Sequence, residues 1–133
     1  MRSAFLIVFA LALAAGAACN KNDTTAPSVV TDTFSGTVAL KSSDNHTFSV
    51  SQTGEVDVTL TSAGPPSTVV MGVGIGTPEG SGCSLLAGAT AAVVAGTGVA
   101  VAGEVTAGTL CVSVYDVGNE TAPISYTVTV AHP

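Results

Sequence analysis

From residue 33 onward apolar and polar positions alternate with a period of two, as in strands with one buried and one wet face. Phe34, Gly36, Val38 and Leu40 alternate with Ser35, Thr37 and Ala39. His46, Phe48 and Val50 alternate with Thr47 and Ser49, and Val56, Val58 and Leu60 with Asp57, Thr59 and Thr61. Late in the chain Leu110, Val112 and Val114 alternate with Cys111, Ser113 and Tyr115. Ile124, Tyr126, Val128 and Val130 then alternate with Ser125, Thr127 and Thr129.

Residues suited to turns stand between these runs: Ser42-Ser43-Asp44-Asn45, Gln52-Thr53-Gly54, Ala63-Gly64-Pro65-Pro66, Thr77-Pro78-Glu79-Gly80 and Val117-Gly118-Asn119-Glu120. Gly, Pro, Asn and Asp at such breaks accept the backbone angles that reverse a chain. Residues 81–107 are harder to read, because no charge falls between Gly80 and Gly103. Five glycines in that stretch, at 82, 88, 96, 98 and 103, oppose a spanning helix, since each weakens one. Strands are expected near 91–95 and 99–105, turning through Gly96-Thr97-Gly98. The prediction is an all-β, antiparallel sandwich or barrel of about seven to nine short strands.

The first residues follow a different pattern. Arg2 precedes an apolar run from Phe5 to Leu13, and Ala14-Ala15-Gly16-Ala17-Ala18 are small. This is the order of a cleavable signal peptide, a short signal helix over residues 1–18. The run is shorter than the roughly 20 residues a spanning helix needs. Small residues before Cys19 are similar to a bacterial lipobox, with Gly16 standing where a leucine is usual. Cys19 is thus the candidate lipid-modified first residue. Residues 19–32, with Pro27 among polar neighbours, read as anchor and tether, and residues 33–133 as the domain.

Cysteine arithmetic agrees. The chain has three cysteines, Cys19, Cys83 and Cys111, and an odd cysteine in an exported protein needs a reason. Lipidation of Cys19 frees Cys83 and Cys111 to pair in an oxidising compartment. The alternative is that both are small buried hydrophobes.

Cleavage after residue 18 of 133 leaves 133 − 18 = 115 residues, enough for one domain. Two lysines, Lys21 and Lys41, then face nine acids, for a formal charge of 2 − 9 = −7. A nucleic-acid partner needs clustered Lys and Arg, so that class is excluded. Docking on anionic membrane through a basic patch is excluded for the same reason.

Several segments together resemble the bacterial pre-peptidase C-terminal domain. They are His46-Thr47-Phe48-Ser49-Val50 with Gly54-Glu55-Val56-Asp57-Val58-Thr59-Leu60, Gly74-Ile75-Gly76-Thr77-Pro78-Glu79-Gly80, Thr106 to Tyr115, and Tyr126-Thr127-Val128-Thr129-Val130. The resemblance covers residues 33–131. Leu110 and Cys111 replace the family's usual aromatic pair, and the aspartate common in its central turn is absent. The resemblance implies a jelly-roll-like sandwich in an accessory role: aiding secretion, or binding a protein or polysaccharide, in some cases with calcium.

Chemistry-bearing groups are sparse. His46 is expected on an inward face beside Phe48 with its hydrogen bond satisfied, and His132 as a solvated chain end. Two isolated histidines offer no zinc spacing and no catalytic triad. Gly72-Val73-Gly74-Ile75-Gly76 lacks the third glycine at the required offset and the Lys-Ser/Thr of nucleotide loops, and reads as strand glycines. Asp44 and Asn45 in one turn, with Asp116, Asn119 and Glu120 in another, are candidate calcium ligands, although turns favour these residues for their own reasons. Tyr115 lies opposite Val112 and Val114 and is the candidate ligand contact. No other metal or cofactor is expected. These readings point to an exported, non-catalytic module for binding or envelope structure, at the outer membrane, the cell surface or the periplasm, or secreted. Its membrane contact is expected through the N-terminal lipid. The alternatives are an accessory for secretion or envelope assembly that recognises another exported protein, and a calcium-dependent adhesion module.

Overall fold

The computed structural model describes residues 27–133. The expected signal peptide, Cys19 and the first part of the expected tether lie outside the described residues. Eight strands form: β1 (Val30–Val38), β2 (Ser43–Val50), β3 (Gly54–Gly64), β4 (Val70–Glu79), β5 (Gly82–Val94), β6 (Val101–Val105), β7 (Gly108–Asp116) and β8 (Ile124–His132). They build two four-stranded antiparallel sheets, ordered β1-β8-β3-β6 and β2-β7-β4-β5. Every connection crosses from one sheet to the other except the β4–β5 hairpin. This is the strand order of an eight-stranded jelly roll.

The alternating positions meet between the sheets. Val56, Val58 and Leu60 of β3 and Val128 and Val130 of β8 face Met71, Val73 and Ile75 of β4 and Val112 and Val114 of β7, all at 1% exposure or less. Each such side chain contributes about 1.5–3 kcal/mol by leaving water. The outer face of the first sheet is mainly hydroxyl-bearing, with Thr33, Thr129 and Thr59 aligned across three strands and Ser35 beside Thr127.

Several boundaries differ from the sequence reading: Ala63 and Gly64 complete β3 rather than a turn, and the strand expected from 99 begins at Val101. Val30, Thr31 and Asp32, expected in the tether, pair with β8 as the start of β1. The β1–β2 reversal runs through Leu40 and Lys41, closed by Ser42 N–H to the Ala39 carbonyl at 3.1 Å. Leu40 therefore lies outside the alternation at 45% exposure, and Asp44 and Asn45 belong to β2. Thr77, Pro78 and Glu79 extend β4, and Gly80 makes the turn with φ of 60°. Finally, β5 begins at Gly82, well before residue 91. Its register jumps from Gly74↔Thr90 to Gly76↔Leu85, so Leu86, Ala87, Gly88 and Ala89 bulge opposite Ile75 alone. The bulge breaks the period of two, and with it the signal that reveals a strand.

Candidate functional site

β1 and β2 are edge strands of different sheets on the same open side of the sandwich. Period two sends Phe34 and Gly36 of β1, Asp44, His46 and Phe48 of β2, and Tyr126 and His132 of β8 toward the seam between them. Tyr126, 2% exposed, is its hub. Its hydroxyl donates to Asp44 Oδ2 at 2.7 Å. With that hydrogen spent, the oxygen accepts from His46 Nε2–H at 2.7 Å, which puts a proton on that nitrogen. The His46 ring stacks on Phe34, centroids 4.8 Å apart. Gly36 makes the room: a methyl group there would collide with Asp44 Oδ2 and crowd the Tyr126 hydroxyl. Burial first, then the hydrogen bond to Asp44 and its charge, raises the Tyr126 pKa far above the usual phenol range. A phenol held this firmly protonated is a poor nucleophile.

Further along the seam, His132 Nε2 meets Asp32 Oδ2 at 3.0 Å. The imidazole is also tilted against Phe48 at 5.2 Å, and its Nδ1 lies 3.2 Å from the Pro133 carbonyl. At 3% exposure His132 is buried, which overturns its reading as a solvated chain end. Ser51 N–H donates to the Pro133 carbonyl at 3.1 Å, and the Pro133 ring lies over Gly54, so the segment is folded into the domain.

The five candidate calcium ligands are not gathered for one ion. Asp44 and Asn45 are strand neighbours on opposite faces, and Asp44 is committed to Tyr126. The Asp116 carboxylate is occupied by backbone. Oδ2 accepts from Lys41 N–H at 2.8 Å, and Oδ1 from the N–H groups of Gly118, Asn119 and Glu120 at 2.7, 3.2 and 3.3 Å. The Lys41 bond does most to lower its pKa below the usual carboxylate value; burial opposes it, and the Gly118, Glu120 and Asn119 bonds add to the lowering. Asp116 thus clasps the β1–β2 turn to the β7–β8 connection. Both Glu120 carboxylate oxygens are covered without a hydrogen-bond partner. Burial, then the Asp116 charge, raises its pKa. Among the described residues no group of three or more His, Cys, Asp or Glu is placed to hold a metal.

On the outer face of the second sheet the glycine run of β4 shows its use. The half-buried Tyr115 ring lies against Gly72, the Leu85 side chain against Gly74, and Cys83 Sγ beside Gly76. Cys83 and Cys111 form a disulfide with Cα atoms 5.8 Å apart. It joins β5 to β7 over the intervening β4, and a side chain at Gly76 would run into Ser84 beside the crossing. This thin outer layer explains why Cys111 and Ser113, expected on a wet face, are 1% and 4% exposed.

Two depressions stand out among the described residues. One, of about 650 Å³, is wide open and lined by Lys41, Ser42, Ser43, Asp116, Val117 and Gly118. The other, of about 210 Å³, lies beside β5 and β6, lined by Leu60, Val93, Val94, Gly96, Gly98, Val99 and Ala100. The sequence reading missed the second because it is made by a loop of glycines and valines with no chemical signature. It also missed Tyr126 as the partner of His46 and Asp44. The inward phase of Tyr126 and His46 was visible, but their juxtaposition needs the crossing of β8 and β2.

No family model matches the chain, and no curated protein matches it. The resemblance to the pre-peptidase C-terminal domain therefore rests on the segments that suggested it.

Proposed function

We propose that this chain is an exported, non-catalytic sandwich module, tethered through Cys19 at an envelope surface, that works by binding. The observation that carries the reading is the use made of its two imidazoles. Each is held in a buried or half-buried stack, bonded to Tyr126 or to Asp32. An imidazole serving as base must reach the proton it abstracts, and the His46 Nε2 is instead turned to a hydroxyl whose proton is firmly kept. The −7 charge and the N-terminal pattern support export and tethering rather than nucleic-acid work. The accessory role implied by the pre-peptidase C-terminal resemblance is compatible with this reading.

Two measurements test it. Intact mass of the mature N-terminus is expected to show acylated Cys19, and an unmodified Cys19 removes the tether. Titration of isolated envelope protein and polysaccharide fractions with the mature chain is expected to show saturable binding that His46→Gln leaves unchanged. Binding that vanishes with His46 would move the functional site to the β1/β2 seam.

A further inference from the structure

The second open side of the sandwich is formed by β5 and β6, the edge strands opposite β2 and β1. An edge strand presents a row of unpaired backbone donors and acceptors, which proteins ordinarily blunt with charge, proline or a cover. From Thr90 to Val94 β5 carries none of these side chains. It is extended there, paired to β4 on one flank only. No charge falls from Gly80 to Gly103, while Leu86, Val94 and Val99 are 38%, 48% and 55% exposed. The 210 Å³ apolar groove opens beside this edge.

We propose that this side is a self-association surface, on which β5 of one copy pairs antiparallel with β5 of a second copy about a twofold axis. This rests on and deepens the reading of the chain as a binding module. Charge selects the occupant. Two copies with a formal charge near −7 each repel one another over most of their surface, and the uncharged strip is where they can approach without facing like charges. A basic partner would be drawn to the carboxylates elsewhere instead. The register follows from the flanks. The Leu86–Ala89 bulge ends the usable edge on one side and the Gly96 loop on the other, so the five residues Thr90–Val94 pair with Ala92 opposite Ala92. Leu86 lies in the bulge at one end of this stretch and Gly98 lines the apolar groove past the other, and antiparallel pairing sets each end of one copy beside the opposite end of the second, as an isologous twofold interface requires.

Sedimentation of the mature chain at increasing concentration tests this. A monomer–dimer equilibrium is expected, weakened at least about tenfold by Ala92→Lys, since one lysine on an edge places two like charges across the axis. Thr33→Lys, on the exposed face of β1, is expected to leave it unchanged. Ala92→Cys is expected to oxidise to a symmetric covalent dimer, because directly opposed Cβ atoms lie roughly 4.5–5.5 Å apart, while Thr33→Cys is not. A wild-type chain that stays monomeric up to about 100 μM, well above common dimer affinities, would overturn the self-pairing and leave the binding-module reading standing. So would an Ala92→Lys chain that dimerises as the wild type does, or β5 amides protected by an envelope protein but not by a second copy.

Discussion

The sandwich has two open sides, and they are closed by different chemistry. At β1 and β2 the seam is filled by Phe34, Phe48, Tyr126, His46 and His132, with Asp32 and Asp44 supplying acceptors. β5 has no charge, ring or imidazole, only Ala, Val, Leu, Gly, Ser, Thr and the bridged Cys83, and β6 adds the single charge of Glu104. The first side is specific within the molecule: each polar group has a partner and a direction. The second is held covalently at one end, and its remaining backbone groups face outward. Seven named groups close the first side, while the β5 edge of the second is left unblunted.

The largest way to break this comparison is to remove the bridge. Replacing both Cys83 and Cys111 by Ala opens a loop with a sequence separation of 28 and is expected to cost about 3–4 kcal/mol on chain-entropy grounds. Denaturant titration gives the loss. Hydrogen exchange should show β5 losing protection before β1 or β2, and equal loss on both sides would mean that the bridge supports the whole sandwich. Next in size, Tyr126→Phe leaves a half-buried carboxylate and an imidazole without their partner, at a cost of about 1–3 kcal/mol. Its effect should concentrate on the β1/β2 side, and a neutral result would show that the seam is held by stacking alone.

The sequence disclosed the layers but not what joins them. Alternation at Val56-Val58-Leu60 and Val112-Val114 shows which face is buried, because a strand's period is set by its own backbone. The bulge at Leu86–Ala89 hid most of β5, since an insertion erases the period while leaving the strand. The seam was half visible. His46 could be phased inward from Phe48 alone, whereas its bonds to Tyr126 and, through it, to Asp44 join residues 80 and 82 positions apart. His132 read as a loose end because nothing local announces the buried pair with Asp32. The calcium candidates were chosen by turn-type composition, which does not say where the turn falls: the reversal sits at Lys41, and Asp44 points into the seam.

A smaller effect sharpens the second side. Glu55 and Glu104 stand directly opposite across β3 and β6, and like charges in that position oppose pairing. Glu104→Lys is expected to stabilise by about 0.2–1 kcal/mol, read from the denaturation midpoint. It also puts a cation beside the uncharged edge. The smallest effect lies at the far turn. Glu120 has a raised pKa, so its contribution favours the fold while it is protonated and is lost as pH rises through the folded value. Glu120→Gln should therefore raise the thermal midpoint at neutral pH and change it little under acid conditions, where the wild-type carboxyl is neutral. Asp116 runs the other way. Its lowered pKa contributes stability above the unfolded value, and that is lost as pH falls through the folded one. Asp116→Asn should lower the midpoint at neutral pH and converge with the wild type in acid.

The clasp made by Asp116 has a consequence for which way the molecule points. β1 begins at Val30, beside His132, and ends at the turn that Asp116 grips through Lys41. Its nine residues span roughly 30 Å at the rise of an extended strand. A chain held by its N-terminal segment therefore stands with the Val30 end toward the support and the Lys41–Asp116 end farthest from it. The open depression crowns that distal tip, while the β5 edge runs along the flank, where neighbours standing on the same surface would meet side by side.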